Sequence, residues 1–528
     1  MFKKKVRLAK RFIEISKTLS QLGFYNVYDY FKALLGLEID EKAQPKRIRE
    51  ALEKLGPSFI KLGQVLSTRP DIVPQSVVQE LIKLQDKVAP IDFGIIEEIL
   101  KRNYGDKLWE IFAYIDPKPL ASASISQVHV GYLQSGEKVA VKVRRPNLKE
   151  MIELDAELML TIIDFLEKHF KTVKEFNLKG VIYQFKRTTL NEADFEIEAQ
   201  NIKIFRENFK DYPDFYVPKC FEEISTSEVL ITEFIEGIKI SDIKKLKEKN
   251  YDLKLLAEKL TDAYFKMVFK DGVYHADPHP GNLFVLEDGT ICAVDYGMVG
   301  FLSKTKKRYF FDYIVAVTTL DINLALQFYE GFNMFTPYTD FNNFETDLQF
   351  FLEKYHNKKL EEIDLKEMIL DIIEFVRTNK LRLPTDVAYL GKAAINLEGT
   401  VRELYPSFNP TQRLKKFVTT STKDYIIEKL GEVRDSAELA FYAIFKLENA
   451  YRLLIRERIT FQIVFKDLEE LQLFYKNQIH KIVYALLFIG LFLSIPLFKI
   501  AKMDTLADLS LFLSVVVGIF TLYKVLRH

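Results

Sequence analysis

The sequence predicts an α+β chain of two lobes, with a helical extension in front and a two-helix apolar hairpin behind. Three observations predict it. Apolar residues recur at three- and four-residue spacing through 1–110, 150–210 and most of the chain after 300. Alternating runs between 110 and 145, and again between 215 and 298, read as short strands. Two uncharged runs lie near the C-terminus. The expected divisions are 1–110 for the extension, 111–236 for the first lobe, 237–455 for the second, and 456–528 for a final helix and the hairpin.

The extension begins with Lys3, Lys4, Lys5, Arg7, Lys10 and Arg11, with no acid among them. Such a cluster suits an anionic membrane surface or a solvated helix end. It lacks the apolar core of a secretory signal. "RIREALEKLGPSFIKLGQVLS" is interrupted at Gly56-Pro57, which predicts one helix on each side of a turn. "QVHVGYL" and "KVAVKVR" predict two strands joined through "QSGEK", with Val139, Val141 and Val143 on one face. "FYVPKCF" and "EVLITEFIEG" are strand-like, and 250–272 is helical. "NLFVLEDGTICAVDYG" predicts a hairpin around Asp288-Gly289, and "KKRYFFDYIVAVTTL" resumes the helical pattern.

"IVYALLFIGLFLSIPLF" (482–498) and "LSLFLSVVVGIFTLY" (509–523) carry no charge. Each is near the lower limit of about 17 residues for a bilayer span, so a transmembrane hairpin is expected, a buried helical hairpin being the alternative. Lys476, Lys481, Lys524 and Arg527 outnumber Lys499 and Lys502 of the link, which places the body in the cytoplasm.

Composition bounds the partners. The chain has 528 residues, 48% hydrophobic and 28% charged, with a net charge of +1, so it is globular, long enough for several domains, and no nucleic-acid partner is expected. Cys220 and Cys292 are the only cysteines, too few for a disulfide framework and without metal-ligand spacing.

The chemistry concentrates in "YHADPHPGNLFV" and "AVDYGMVG". His275-x-Asp277-x-x-x-x-Asn282 and Asp295-Tyr296-Gly297 reproduce the catalytic loop and the D-F-G element of protein kinases, in order and separated by a hairpin. Phosphoryl transfer needs a carboxylate at the attacking oxygen, which Asp277 supplies, and hard oxygen ligands for Mg²⁺, which Asn282 and Asp295 supply. Lys142 in "VAVKV" matches the phosphate-binding lysine, with Ala140 on the same strand face leaving room for adenine. Its partner is a glutamate of "NEADFEIEAQN", where Glu192, Glu196 and Glu198 compete on spacing alone. Residues 121–128 fit the spacing of a glycine-rich phosphate loop, yet Ala121, Ala123 and Ser126 occupy the glycine positions. Cβ atoms there predict a stiffer loop, with the hydroxyls of Ser122, Ser124 and Ser126 as candidate donors. The expected ATP site also takes in Ile125, Val128, Glu233 and Ile235.

These motifs resemble the UbiB family of atypical kinases. "KLGQ" (Lys61 to Gln64) is similar to its K-x-G-Q signature, "EAD" (Glu192 to Asp194) to its E-x-D signature, and 121–127 to its alanine-rich loop. The resemblance implies a protein-kinase-like bilobal fold, ATP and Mg²⁺ as cofactors, and Glu198 as the partner of Lys142. It implies that Lys61 and Gln64 point into the cleft near Glu192 and Asp194, with Gly63 permitting close helix packing. It further implies that the loop and the K-x-G-Q helices suppress protein-kinase activity and leave ATP hydrolysis. Membrane lipids, polyprenyl quinone precursors and ubiquinone-biosynthesis proteins are the implied partners, at a bacterial inner membrane. Ala276 in place of the H-R-D arginine, and the lack of an A-P-E signature, argue against a peptide-docking platform. The competing readings are a true protein kinase and a nucleotide-binding scaffold without turnover.

Overall fold

A computed structural model describes residues 2–22, 45–69, 72–84, 88–169, 177–356 and 362–411, with isolated positions elsewhere. The chain divides into two units, Met1–Gly431 and Glu432–His528. The expected hairpin run 482–498 lies outside the described residues, as does most of 509–523. Among the described residues no helix is long and apolar enough to cross a membrane.

The extension consists of α1 (Phe2–Gln21), α2 (Pro45–Leu55), α3 (Pro57–Ser67) and α4 (Gln75–Leu81). The expected break is present: Gly56 has φ +98°, a conformation glycine adopts without steric cost, and Pro57 opens α3. Next come α5 (Phe93–Tyr104), α6 (Leu108–Ile111), β1 (Phe112–Ser122), β2 (Ser126–Leu133), β3 (Lys138–Arg144), α7 (Leu148–His169), α8 (Leu178–Glu192) and α9 (Phe195–Phe209). β4 (Phe215–Tyr216), β5 (Val229–Glu233), β6 (Ile238–Lys239), α10 (Ile243–Glu248) and α11 (Leu253–Phe265) lead to β7 (Val273–His275), β8 (Leu283–Val285), β9 (Ile291–Ala293) and β10 (Val299–Phe301). The series closes with α12 (Lys304–Thr319), α13 (Ile322–Gly331), α14 (Phe341–His356), α15 (Leu365–Thr378) and α16 (Thr385–Leu404).

The first lobe is an antiparallel sheet in the order β1-β2-β3-β5. Val139, Val141 and Val143 are fully buried on one face, as alternation predicts, and pack with Ile96, Ile99 and Leu100 of α5. Each contributes roughly 1.5–3 kcal/mol of burial. The second lobe carries the sheet β4-β9-β8-β6 and the pair β10-β7. Only two residues of "FYVPKCF" are strand, and they pair parallel with β9 rather than joining the first lobe. The hairpin at Asp288-Gly289 forms as expected, with Gly289 at φ +82°.

The extension shares its apolar core with α7 and α8, so a helical layer is assembled from both ends of the first lobe. That packing corrects the reading of the basic N-terminus. Arg11 turns inward, its Nε 2.7 Å and its Nη2 3.0 Å from the carboxylate of fully buried Asp155, and donates to the Leu55 carbonyl at 3.0 Å. A buried carboxylate needs such a partner, so Arg11 is not part of a membrane-facing cluster. α12 to α15 enclose a separate, aromatic-rich core.

Candidate functional site

The site lies where β3, α9 and the β7–β9 loops meet. Register across the first sheet sets Ala121 beside Val128 and Val128 beside Lys142, while Ala140 on the same face pairs with Thr232. Lys142 Nζ lies 2.8 Å from both carboxylate oxygens of Glu198 and 3.4 Å from Asp295 Oδ1. Of the three competing glutamates, Glu198 is therefore the partner. Burial alone would lower the Lys142 pKa, but Asp295 and Glu198 hold it above the ordinary lysine range. Burial pushes the Glu198 carboxyl up, to about 7, against the pull of Lys142. Burial would also raise Asp295, but the Lys142 ammonium and the Gly297 N–H, which donates to Oδ1 at 3.0 Å, hold it well below the usual carboxylate range. Asp295 thus favours its anionic form, the form in which a carboxylate binds a hard cation.

Asn282 stands at the start of β8 and Asp295 just after β9. The Val294 N–H donates to the Asn282 carbonyl at 3.0 Å, closing the ladder that brings the two together. His275 ties this pair to the catalytic loop: its Nδ1 accepts from the Asp277 N–H at 3.1 Å, and its Nε2 faces the Asp295 carbonyl. Burial lowers the His275 pKa and keeps the ring neutral, so Nε2–H is the donor to that carbonyl.

Asp277 has two partners that sequence reasoning missed. Lys392 Nζ lies 3.1 Å from its Oδ2, and Asn396 Nδ2 donates to its Oδ1 at 2.9 Å. Both come from α16, four residues apart and hence on one helix face. Protein-kinase motifs carry no signal for them, because they lie more than a hundred residues beyond the catalytic loop.

The loop between β1 and β2 is held from outside the cleft. Ile125 is buried in the apolar core of the extension, and Ser124 and Ser126 are buried too. Register sets Ser126 opposite Arg144, on the strand face of Val128 and Lys142, while Ser124 at the loop tip is fully buried. Ala121, Ser122 and Ala123 remain on the cavity wall. Arg145, another residue missed from sequence, donates to the carbonyls of Ala123 and Ala89 and to Ser122 Oγ, all at 2.8 Å. Glu233 and Ile235 lie where β5 leaves the first lobe; the Glu233 carboxylate accepts from Tyr216 Oη at 2.7 Å and from the Lys219 N–H at 3.1 Å.

Lys61 reaches from α3 to Glu192, Nζ to Oε1 at 2.6 Å, and both are largely buried. Gln64 lines the cavity. Asp194 behaves differently from expectation: its carboxylate pairs with Lys149 at 2.9 Å, because it sits past the end of α8 and faces α7. A Cβ on Gly63 would fall 2.3 Å from Leu84 and 2.7 Å from Leu52, so the close packing expected there is real.

Tyr296, in place of the D-F-G phenylalanine, is fully buried against Phe205 and His275, and its hydroxyl has no hydrogen-bond partner among the described residues. An unpaired buried hydroxyl costs about 1–3 kcal/mol. Tyr296→Phe is therefore expected to raise stability by about 1 kcal/mol in urea denaturation; a loss of stability would show that the hydroxyl has a partner.

A paired lysine and glutamate above an aspartate-bearing hairpin, between a mostly β and a mostly α lobe, defines the kinase-like class of α+β folds. Residues 83–329 match the ABC1 atypical kinase-like domain, and residues 348–409 match the UbiB helical domain. A probable protein kinase UbiB of Pseudomonas fluorescens is 32% identical over 75% of this chain and 76% of its own length. Another, of Aliivibrio fischeri, is 34% identical over 72% and 71%. An uncharacterized protein in the hydrogenase 1 5' region of Clostridium pasteurianum is 34% identical over 78% and 77%. The solved structure of Rv3197 with erythromycin, from Mycobacterium tuberculosis, aligns with a TM-score of 0.43 and 23% identity over 66% of this chain and 91% of that one. The chain belongs to the ABC1/UbiB family of atypical kinase-like proteins.

Proposed function

We propose that the protein binds Mg-ATP and acts as an atypical kinase or ATPase supporting ubiquinone biosynthesis, on prenyl-lipid intermediates, at the bacterial inner membrane. In this reading 482–498 and 509–523 form the membrane hairpin, and the body faces the cytoplasm. The observation that carries the chemistry is the Lys142–Glu198–Asp295 cluster across the cleft from Asp277. Lys142 orients the phosphates, and Asn282 and Asp295 hold Mg²⁺, which supplies charge neutralisation when bound. Asp277 meets the attacking oxygen of water or a lipid hydroxyl and takes its proton.

Lys392, 3.1 Å from the Asp277 carboxylate, has the position to contact the transferring phosphoryl group. His279, rather than a lysine or arginine, occupies the second place after Asp277 in the loop. Donors placed where charge develops typically contribute 10²–10³ in kcat. Lys392→Met is expected to lower Mg-ATP turnover by roughly a hundredfold while leaving the Mg-ATP thermal shift in place. Wild-type turnover in the variant would remove Lys392 from the mechanism.

A protein-kinase reading is favoured by the description of two relatives as probable protein kinases. Against it, β10 and the start of α12 follow Gly297 within a few residues, which leaves no long segment on which a peptide could dock.

A further inference from the structure

The cavity at the reactive carboxylates does not end there. It runs on between α11, α12, α15 and α16, with a volume of about 1470 Å³. Pockets for drug-sized ligands span roughly 300–1,000 Å³. Asp277, Asn282 and Lys392 stand at one part of its wall, while Phe269, Phe310, Ile314, Met368, Ile372 and Val387 make another part apolar. Protein interiors normally pack without such voids, and an unfilled apolar wall forfeits dispersion contacts.

One further feature fits a void kept open for a ligand. Gly399 lies inside α16 on the face of Lys392 and Asn396, and a Cβ there would meet nothing within 4 Å. Close packing therefore does not require glycine, although glycine weakens a helix interior.

We infer that this cavity binds the long hydrocarbon chain of an amphiphile whose hydroxyl-bearing head rests at Asp277. The inference rests on the proposed reading of Asp277 as the residue that meets the attacking oxygen. A prenyl chain and a straight acyl-type chain share the required chemistry.

The test is equilibrium dialysis of the purified full chain against radiolabelled prenol, geraniol, farnesol and geranylgeraniol, delivered from cyclodextrin, with hexadecanol as the straight-chain arm. Affinity is expected to rise at least roughly tenfold per prenyl unit until the cavity is filled. Hexadecanol binding as tightly as geranylgeraniol would identify chain length as the recognised feature; weaker binding would identify the prenyl branches. Gly399→Phe is expected to weaken farnesol at least tenfold with prenol unchanged, and Gly399→Ala to behave as wild type. Affinity independent of chain length, or full farnesol binding by Gly399→Phe, overturns the inference. Should Gly399→Phe fail to fold, photolabelling of the wild type with a diazirine farnesol decides: adducts on α12, α15 or α16 support the site, and adducts only elsewhere overturn it. The Mg-ATP thermal shift, run in parallel, reports the nucleotide reading separately. Chain binding without that shift sinks the proposed function and leaves the cavity assignment standing.

Discussion

Asp295→Asn is expected to abolish Mg²⁺-dependent nucleotide binding. The substitution keeps the shape of the side chain and removes its charge, and that charge is what the Lys142 ammonium and the Gly297 N–H sustain in the half-exposed cleft. Asn282 alone gives a hard cation one neutral oxygen, too little where Mg²⁺ usually takes one or two carboxylates plus phosphate. Saturating ligand at a hundred times Kd stabilises a protein by about 2.7 kcal/mol. The thermal shift with Mg-ATP should therefore be plain in the wild type and absent in the variant. An unchanged shift would sink the metal assignment. The fold should survive, since Lys142 keeps both contacts with Glu198.

Lys61→Met is expected to cost about 3 kcal/mol of stability, the lower end for removing one partner of a buried ion pair. Lys61 is 7% and Glu192 17% exposed in their side chains, so little water reaches the carboxylate left behind. Glu192 also packs beside Gly297, and the lost cation leaves negative charge next to Asp295. Glu192→Gln in the same chain removes that charge and should recover most of the loss. Denaturation of both single variants and the double variant yields the coupling directly. A near-zero coupling would mean that α3 is held by its apolar face alone.

Local periodicity made most helices and the β2–β3 and β8–β9 hairpins legible, because each buries one face and alternates or repeats accordingly. β1 was not legible. "FAYIDPKPLAS" contains two prolines and little alternation, which only an edge strand tolerates, and β1 is an edge of its sheet. Asp277, Asn282 and Asp295 stood out as candidates because the kinase motifs place them at fixed spacing around the β8–β9 hairpin. Lys392 and Asn396 were not, since they meet Asp277 through tertiary packing of α16, and helix-face spacing of a lysine and an asparagine looks like ordinary solvent exposure. The loop at 121–126 falls between these cases. Its missing glycines announced a restrained loop, while the restraint itself, Ile125 in the extension core and Arg145 on three oxygens of the loop region, depends on contacts no local pattern records.

The central claim is that Asp277 directs the γ-phosphoryl group of Mg-ATP to an oxygen acceptor. The most direct measurement is a single turnover with [γ-³²P]ATP, wild type beside Asp277→Asn, separating ATP, inorganic phosphate, lipid extract and protein. The expected result is Mg²⁺-dependent transfer of label from ATP to phosphate or lipid by the wild type, with a loss of roughly a hundredfold or more in the variant. Equal rates in the two chains, or label found only on protein, would contradict it.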